Sequence, residues 1–281
     1  ILVGVIYLVY QKYGITFKNM RKQNKFTLAD FSEVGLASST LSDFERGLTM
    51  ISLEKIDLAL QLMGCSLSDF DSHLNFYSPT DPIYILQELE GAILFNDSLK
   101  LKDLYMTCKQ TKQRNLCLTI KFLLKKGTLE EKNEIVNFLY ETKAFGIKEL
   151  SIFYIIMHQL APQDILNIMK RLKQYGKGMS NSEIYHRHLS HVILEVITVL
   201  SNYGLKDEAH YFIKRVEELN LAQSMLLRNL FKAVKGLWVY NFENKLEGKE
   251  QIKKAMEILL LAAQPEVAQF HQERFKMLVD L

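Results

Sequence analysis

The sequence predicts an all-α chain in two parts, five short helices and then a longer run of stacked ones. Three observations predict it. Apolar residues recur at three- and four-residue spacing from Phe17 to Leu259, the period of amphipathic helices. No apolar–polar alternation is long enough for a strand. Helix breakers are rare, with 4 Pro and 13 Gly in 281 residues.

The elements follow in order. Residues 1–10 (ILVGVIYLVY) are apolar. They reach about half the length needed to span a bilayer and lack a basic leader or cleavage site. Residues 1–14 are expected to be an upstream extension or a misassigned start; the alternative is a short element packed on the first helix. Thr16 to Gln23 reads as the first helix, with Phe17 and Met20 inward and Lys18, Arg21 and Lys22 outward. Thr27 starts a second, with Asp30 three residues on as in a capping box. A third runs from about Ala37 to Arg46 and stops at Gly47. Ser52 opens a fourth, and Ser66 with Asp69 a fifth. Pro79 and Pro82 then break the pattern, so 75–82 is expected to be a linker, with Pro82 suited to the first turn of the next helix.

Residues 83–281 read as helical throughout. Stripes run along Ile165, Ile168, Met169 and Leu172; along Leu189, Val192, Ile193, Val196, Ile197 and Leu200; along Ala209, Phe212, Ile213, Val216 and Leu219; and along Ile252, Ala255, Met256 and Leu259. Each stripe needs a covering neighbour. Gly204 and Gly248 each precede a charged segment and read as turn glycines of a repeat. Their spacing of about 44 residues exceeds the tetratricopeptide period of about 34, so the repeat is expected to be degenerate. Stacked helix pairs give a superhelix with a concave face, which suits an extended peptide.

Residues 26–70 carry the most information. Leu41 and Phe44 would be buried while SSTLSDFERG leaves small hydroxyls exposed, so that its helix can lie against DNA. Leu41-Ser42, Phe44-Glu45-Arg46-Gly47, Ile51-Ser52-Leu53-Glu54 and Asp69-Phe70 make residues 15–74 resemble the helix-turn-helix domain of lambda-repressor-like regulators, more narrowly those of the Rgg/GadR/MutR type. The remainder resembles that family's tetratricopeptide-like peptide-sensing domain. The resemblance implies a cytoplasmic homodimeric transcription regulator that binds double-stranded promoter DNA and a short signalling peptide. It implies base contacts from Ser38, Ser39, Thr40 and Asp43. The chain departs from the family pattern at Ala37, where a capping Ser or Thr is usual, and at Asp43, a position often basic.

The charge pattern agrees with nucleic acid locally. Net charge is only +3, but Lys12 to Lys25 holds five basic residues and no acidic one. Lys18, Arg21, Lys22 and Lys25 are expected along the phosphate backbone. For the peptide, Asn229 can bond a backbone amide at donor and acceptor, Arg228 can clamp a carboxylate, and Lys232 sits beside them. Tyr185, Trp238 and Tyr240 could supply aromatic walls. On the family reading His188 lines the groove.

Other classes find less support. There is no Gly-rich phosphate loop, no G-x-S-x-G and no cysteine with an evident activating partner, so neither enzyme nor cofactor is expected. No segment after the first ten residues reads as transmembrane. Cys65, Cys108 and Cys117 form no CxxC pair, which suits a reducing cytosol. Two rivals stand beside the regulator. One is a helical-repeat protein-interaction scaffold. The other is a metal-dependent helical protein centred on His186, His188 and His191, though a di-metal bundle needs a second E-x-x-H that the chain lacks.

Overall fold

All regular secondary structure among the described residues is helical. The computed structural model describes residues 2–74, 82–175 and 183–279, with the backbone alone for 2–10 and 174–175. By its contacts the chain divides into Ile1–Ser78 and Pro79–Leu281, and each unit has its own apolar core.

In the first unit the elements are α1 (Leu2–Gln23), a 3-10 helix (Ala29–Val34), α2 (Ser38–Glu45), α3 (Leu53–Leu62) and α4 (Leu67–Leu74). Phe17 is its hub. The ring is fully buried and lies 5.7 Å from Phe31, 5.8 Å from Phe44 and 6.4 Å from Phe70, edge-on to each. Such geometry suits the aromatic quadrupole. Gly47 takes φ +72 and ends the α2 segment. Ser52 caps α3 by accepting from Lys55 N. Ser66 and Asp69 bond each other's backbone N–H at the start of α4.

Two expectations need correction here. The first helix begins at Leu2, not Thr16, because nothing in the apolar leader breaks an α-helix. Gly14 is then an interior position, and a Cβ there would lie 2.0 Å from Phe44 O. A glycine is what lets α1 touch the backbone at the end of α2. The second helix is only a six-residue 3-10 turn; Thr27 N still donates to Asp30 Oδ2 at 2.6 Å. Most of the expected linker, including Pro79, lies outside the described residues.

The second unit contains α5 (Pro82–Leu94), α6 (Ser98–Gln110), α7 (Arg114–Leu123), α8 (Leu129–Glu141), α9 (Ile147–Ile156), a 3-10 turn (Met157–Gln159), α10 (Pro162–Tyr175), α11 (Glu183–Asn202), α12 (Lys206–Glu218), α13 (Met225–Phe242), α14 (Lys245–Ala262) and α15 (Pro265–Leu278). Helix α11 is the central element. Every residue from Val192 to Ser201 is buried, and α9, α12 and α13 pack around it. The expected stripes of α10, α11 and α14 face inward, and Leu189 is half-buried. Leu219 does not, because it caps α12 and is exposed.

The repeat reading holds at one glycine and fails at the other. Gly204 takes φ +78 just before α12. Gly248 is inside α14, whose start is capped by Asn244 accepting from Leu246 N and Glu247 N. It serves packing instead. A Cβ on Gly248 would lie 2.3 Å from Tyr240 N and 2.6 Å from Gly236 O, so α13 and α14 meet backbone to backbone. Gly248→Ala should therefore destabilise by about 1–3 kcal/mol through overpacking. Gly91→Ala on α5, where nothing stands within 4 Å, should stabilise by about 0.5–1 kcal/mol. Urea unfolding of both variants checks the contrast, and equal shifts would refute it.

Candidate functional site

Helix α2 exposes its first turn. Ser38, Ser39 and Thr40 are solvent-facing, while Leu41 and Phe44 are fully buried. Ala37 occupies the N-cap in extended conformation and makes no side-chain cap bond, so the first backbone N–H groups stay available. Asp43 is half-buried and forms an ion pair with Arg46 one turn on. That pairing weakens its expected role as a free acceptor.

Of the four expected phosphate ligands, Lys22 and Lys25 are exposed and Lys18 is half-buried. Arg21 departs from expectation. It is 8% exposed, and its Nε and Nη2 donate to Glu45 Oε1 and Oε2 at 2.5 and 2.8 Å. Its Nη1 donates to Phe26 O at 2.8 Å. The guanidinium is spent holding α2 to α1. Its pKa is raised chiefly by the Glu45 bond, against burial.

The second unit holds a groove made of two adjoining cavities, of about 830 and 640 Å³. Ile93 and Leu94 of α5, Tyr154 and Ile155 of α9 and Phe270 of α15 line both. Glu195, Arg274 and His158 line the larger. Glu195 is 4% exposed. Burial alone would raise its pKa, but Arg274 and His158 outweigh that and hold it at about 2. Arg274 pairs with it directly, and His158 Nε2 lies 2.5 Å from Oε1. Tyr154, beside Arg274 at 3.4 Å, is pushed up to about 12 by burial and by Glu195.

His188, His191 and His271 line the smaller cavity with Arg187 and Glu90. Burial first, and neighbouring cations second, lower all three imidazoles, His191 and His271 to about 4. Burial raises Glu90 while Arg187 opposes the rise.

His188 is thus in the groove, but the other expected peptide residues are not gathered there. Tyr185 lines a separate, largely apolar cavity of about 870 Å³ between α10, α11 and α12, together with His186. Asn229 is 5% exposed and donates to Ala255 O at 2.7 Å, clamping α13 to α14. Trp238 is buried, donates to Lys206 O at 3.1 Å and stacks near His210. Arg228 donates to Ala222 O at 3.1 Å. Lys232 is exposed, and Tyr240 is half-buried under Lys245. None of these five lines either cavity of the groove. The metal rival also loses its geometry, since His186 faces a different cavity from His188 and His191. Among the described residues no cluster of three His, Cys, Asp or Glu could hold a metal ion.

Sequence reasoning missed Glu195, Arg274, Tyr154, Phe270 and His271 as a group. The one local signal in the sequence is that Glu195 follows His191 by four residues, on the same helix face.

The buried charges can be tested directly. Arg21→Ala strands the Glu45 carboxylate and should cost roughly 3 kcal/mol, whereas Arg21→Met with Glu45→Leu should recover most of that. A loss confined to DNA affinity, with normal unfolding, would return Arg21 to the surface role. A second expectation concerns pH. His191 and His271 titrate near 4 when folded, against 6.5 ordinarily. The unfolded chain therefore takes up protons first, and stability present above pH 6.5 is lost as pH falls towards 4. Between pH 7 and 5 each should cost about 2 kcal/mol. Glu195 adds a further loss from its ordinary 4.5 down to about 2. Urea midpoints across pH test this; His191→Gln should flatten the upper limb, and a pH-independent wild-type midpoint would count against it.

Comparison with known proteins completes the site. A family model described as HTH-type transcriptional regulator Rgg, C-terminal domain, matches residues 97–273, and a helix-turn-helix model matches 17–70. The Streptococcus dysgalactiae SHP pheromone receptor Rgg2 is 16% identical, with 95% of this chain and 100% of that one covered and a TM-score of 0.76. The PrgX/iCF10 complex gives 13% identity, 95% and 96% coverage and a TM-score of 0.66. ComR from S. thermophilus, in complex with DNA and its signalling peptide ComS, gives 13%, 96% and 100%, and 0.55. These likenesses show a common fold. No helix among the described residues is long and apolar enough to cross a membrane. The Rgg model spans more than half of the chain, which therefore belongs to the Rgg family of helix-turn-helix transcriptional regulators, DNA-binding proteins rather than enzymes.

Proposed function

We propose that this regulator is a cytoplasmic homodimer whose DNA affinity is set by a short, extended peptide. Residues 15–74 read promoter DNA, and 83–281 sense the peptide and dimerise. The observation that carries the peptide reading is the two-part groove walled by α5, α9, α11 and α15, roomy enough for several side chains. Cavities of this size, mostly apolar with a few convergent polar groups, are the usual form of ligand sites. Solved proteins of similar fold include a pheromone receptor, a bacterial peptide pheromone/receptor complex and a complex with DNA and a signalling peptide. In this reading Ser38, Ser39 and Thr40 contact base edges, Asp43 does so only when released by Arg46, and Lys18, Lys22 and Lys25 meet phosphates. Peptide contacts move from Asn229 and Trp238 to the groove, centred on His188, Tyr154 and Phe270.

Sequencing of genomic DNA retained by the full chain, with and without fractionated culture peptides, tests both halves together. Ser39→Ala and Thr40→Ala should each cost about 1–3 kcal/mol on the retained site and little on random DNA. Lys22→Ala and Lys25→Ala should weaken both equally and flatten the salt slope by about one unit per lost contact. Phe270→Ala should reduce the peptide response with DNA binding of the peptide-free protein unchanged. Peptides that leave promoter occupancy untouched would reduce the reading to a ligand-independent regulator.

A further inference from the structure

The smaller cavity of the groove has a wall chemistry of its own. Ser151 of α9 lines it. The residue is 7% exposed, and its hydroxyl is buried with no hydrogen-bond partner. A serine inside a helix can bond the carbonyl one turn back, as Ser190 does to His186 O at 2.7 Å. Ser151 does not, and an unmade buried hydrogen bond is costly.

Two further features point the same way. His191 and His271, in the same wall, are kept neutral near pH 7 by burial, so each offers one donor and one acceptor. The formal charges of the lining, Glu90 and Arg187, are on exposed residues, and His188 Nδ1 stands 3.8 Å from Glu90 Oε1. The rest of the lining is mainly aliphatic, with Leu150, Val192 and Leu226 among it. A charged side chain seated beside the buried Ser151, rather than at the exposed Glu90 or Arg187, would be desolvated. A purely apolar one would leave Ser151 unmet. An uncharged hydrogen-bonding group avoids both penalties.

We propose that this chamber takes one uncharged hydrogen-bonding side chain of the ligand, a carboxamide or a hydroxyl, and that Ser151 contacts it and sets that specificity. This rests on the peptide reading above and names the residue class the groove selects.

The test exposes the full-length protein to a synthetic random octapeptide library and sequences what is retained. Asn, Gln, Ser or Thr should be enriched several-fold at one position over Asp, Glu, Lys and Arg. For the best retained peptide, Ser151→Ala should weaken binding about tenfold. Ser151→Thr, which keeps the hydroxyl, should stay within about threefold. Exchanging the selected residue for a charged one of similar size should remove binding to wild type. Retained peptides without that preference, or equal affinity for wild type and Ser151→Ala, overturn the chamber while sparing the peptide reading. Retention of no peptide overturns the peptide reading and the chamber with it.

Discussion

A carboxylate buried on the central helix constrains the second unit more than any other single group. Glu195 is in the middle of the buried stretch of α11 and cannot remain ionised there without partners. The partners come from elsewhere in the sequence, Arg274 from α15 and His158 from the turn after α9. Satisfying one charge therefore fixes where the last helix lies against α11 and α9. Those helices are three of the four walls of the groove. Removing Arg274 would leave an uncompensated charge in the core, so this part of the groove and the stability of the helical unit share one origin.

The first unit solves a smaller version of the same problem. Glu45 near the end of α2 is buried, and Arg21 of α1 meets it with both oxygens engaged. Bidentate pairing fixes orientation as well as distance. With Gly14 allowing backbone contact at Phe44, it sets the angle at which Ser38, Ser39 and Thr40 project. In both units a buried ion pair orients a helix while apolar packing supplies most of the stability. That division fits the modest net value of such pairs and their geometric specificity.

Much of this was legible in the sequence because helices announce themselves locally. Ser52, Gly47 and the Ser66–Asp69 pair mark helix ends by short-range bonds that the structure contains. The stripes of α10, α11 and α14 followed from the 3.6-residue period. The failures share a cause. Periodicity shows which face is apolar but not which neighbour covers it. Arg21 reads as outward because a cation on a polar edge looks the same whether it meets phosphate or Glu45. Asn229 and Trp238 carry the chemistry of a ligand site, yet their partners are the backbones of Ala255 and Lys206, brought close only by tertiary packing. Gly248 reads as a turn because nothing local distinguishes a glycine that ends a helix from one that admits Tyr240.

The groove's position gives a physical route for a ligand to act. Its walls include α5, the first helix of the second unit, and α15, the last, and these two touch. Sequence neighbours cannot make such a site; it exists only while both ends of the unit are closed on α9 and α11. A molecule seated there contacts both ends at once and binds most tightly to the arrangement that brings them together. It can shift the protein's states only by the difference in its affinity for each, and that difference is largest where a site is assembled from elements free to separate. The floor, locked by Glu195 and Arg274, offers little such freedom. Arg274 also ties Tyr154 and the helix that carries Phe270 to that floor, so a ligand would have its leverage at α5, which meets the groove through Ile93 and Leu94.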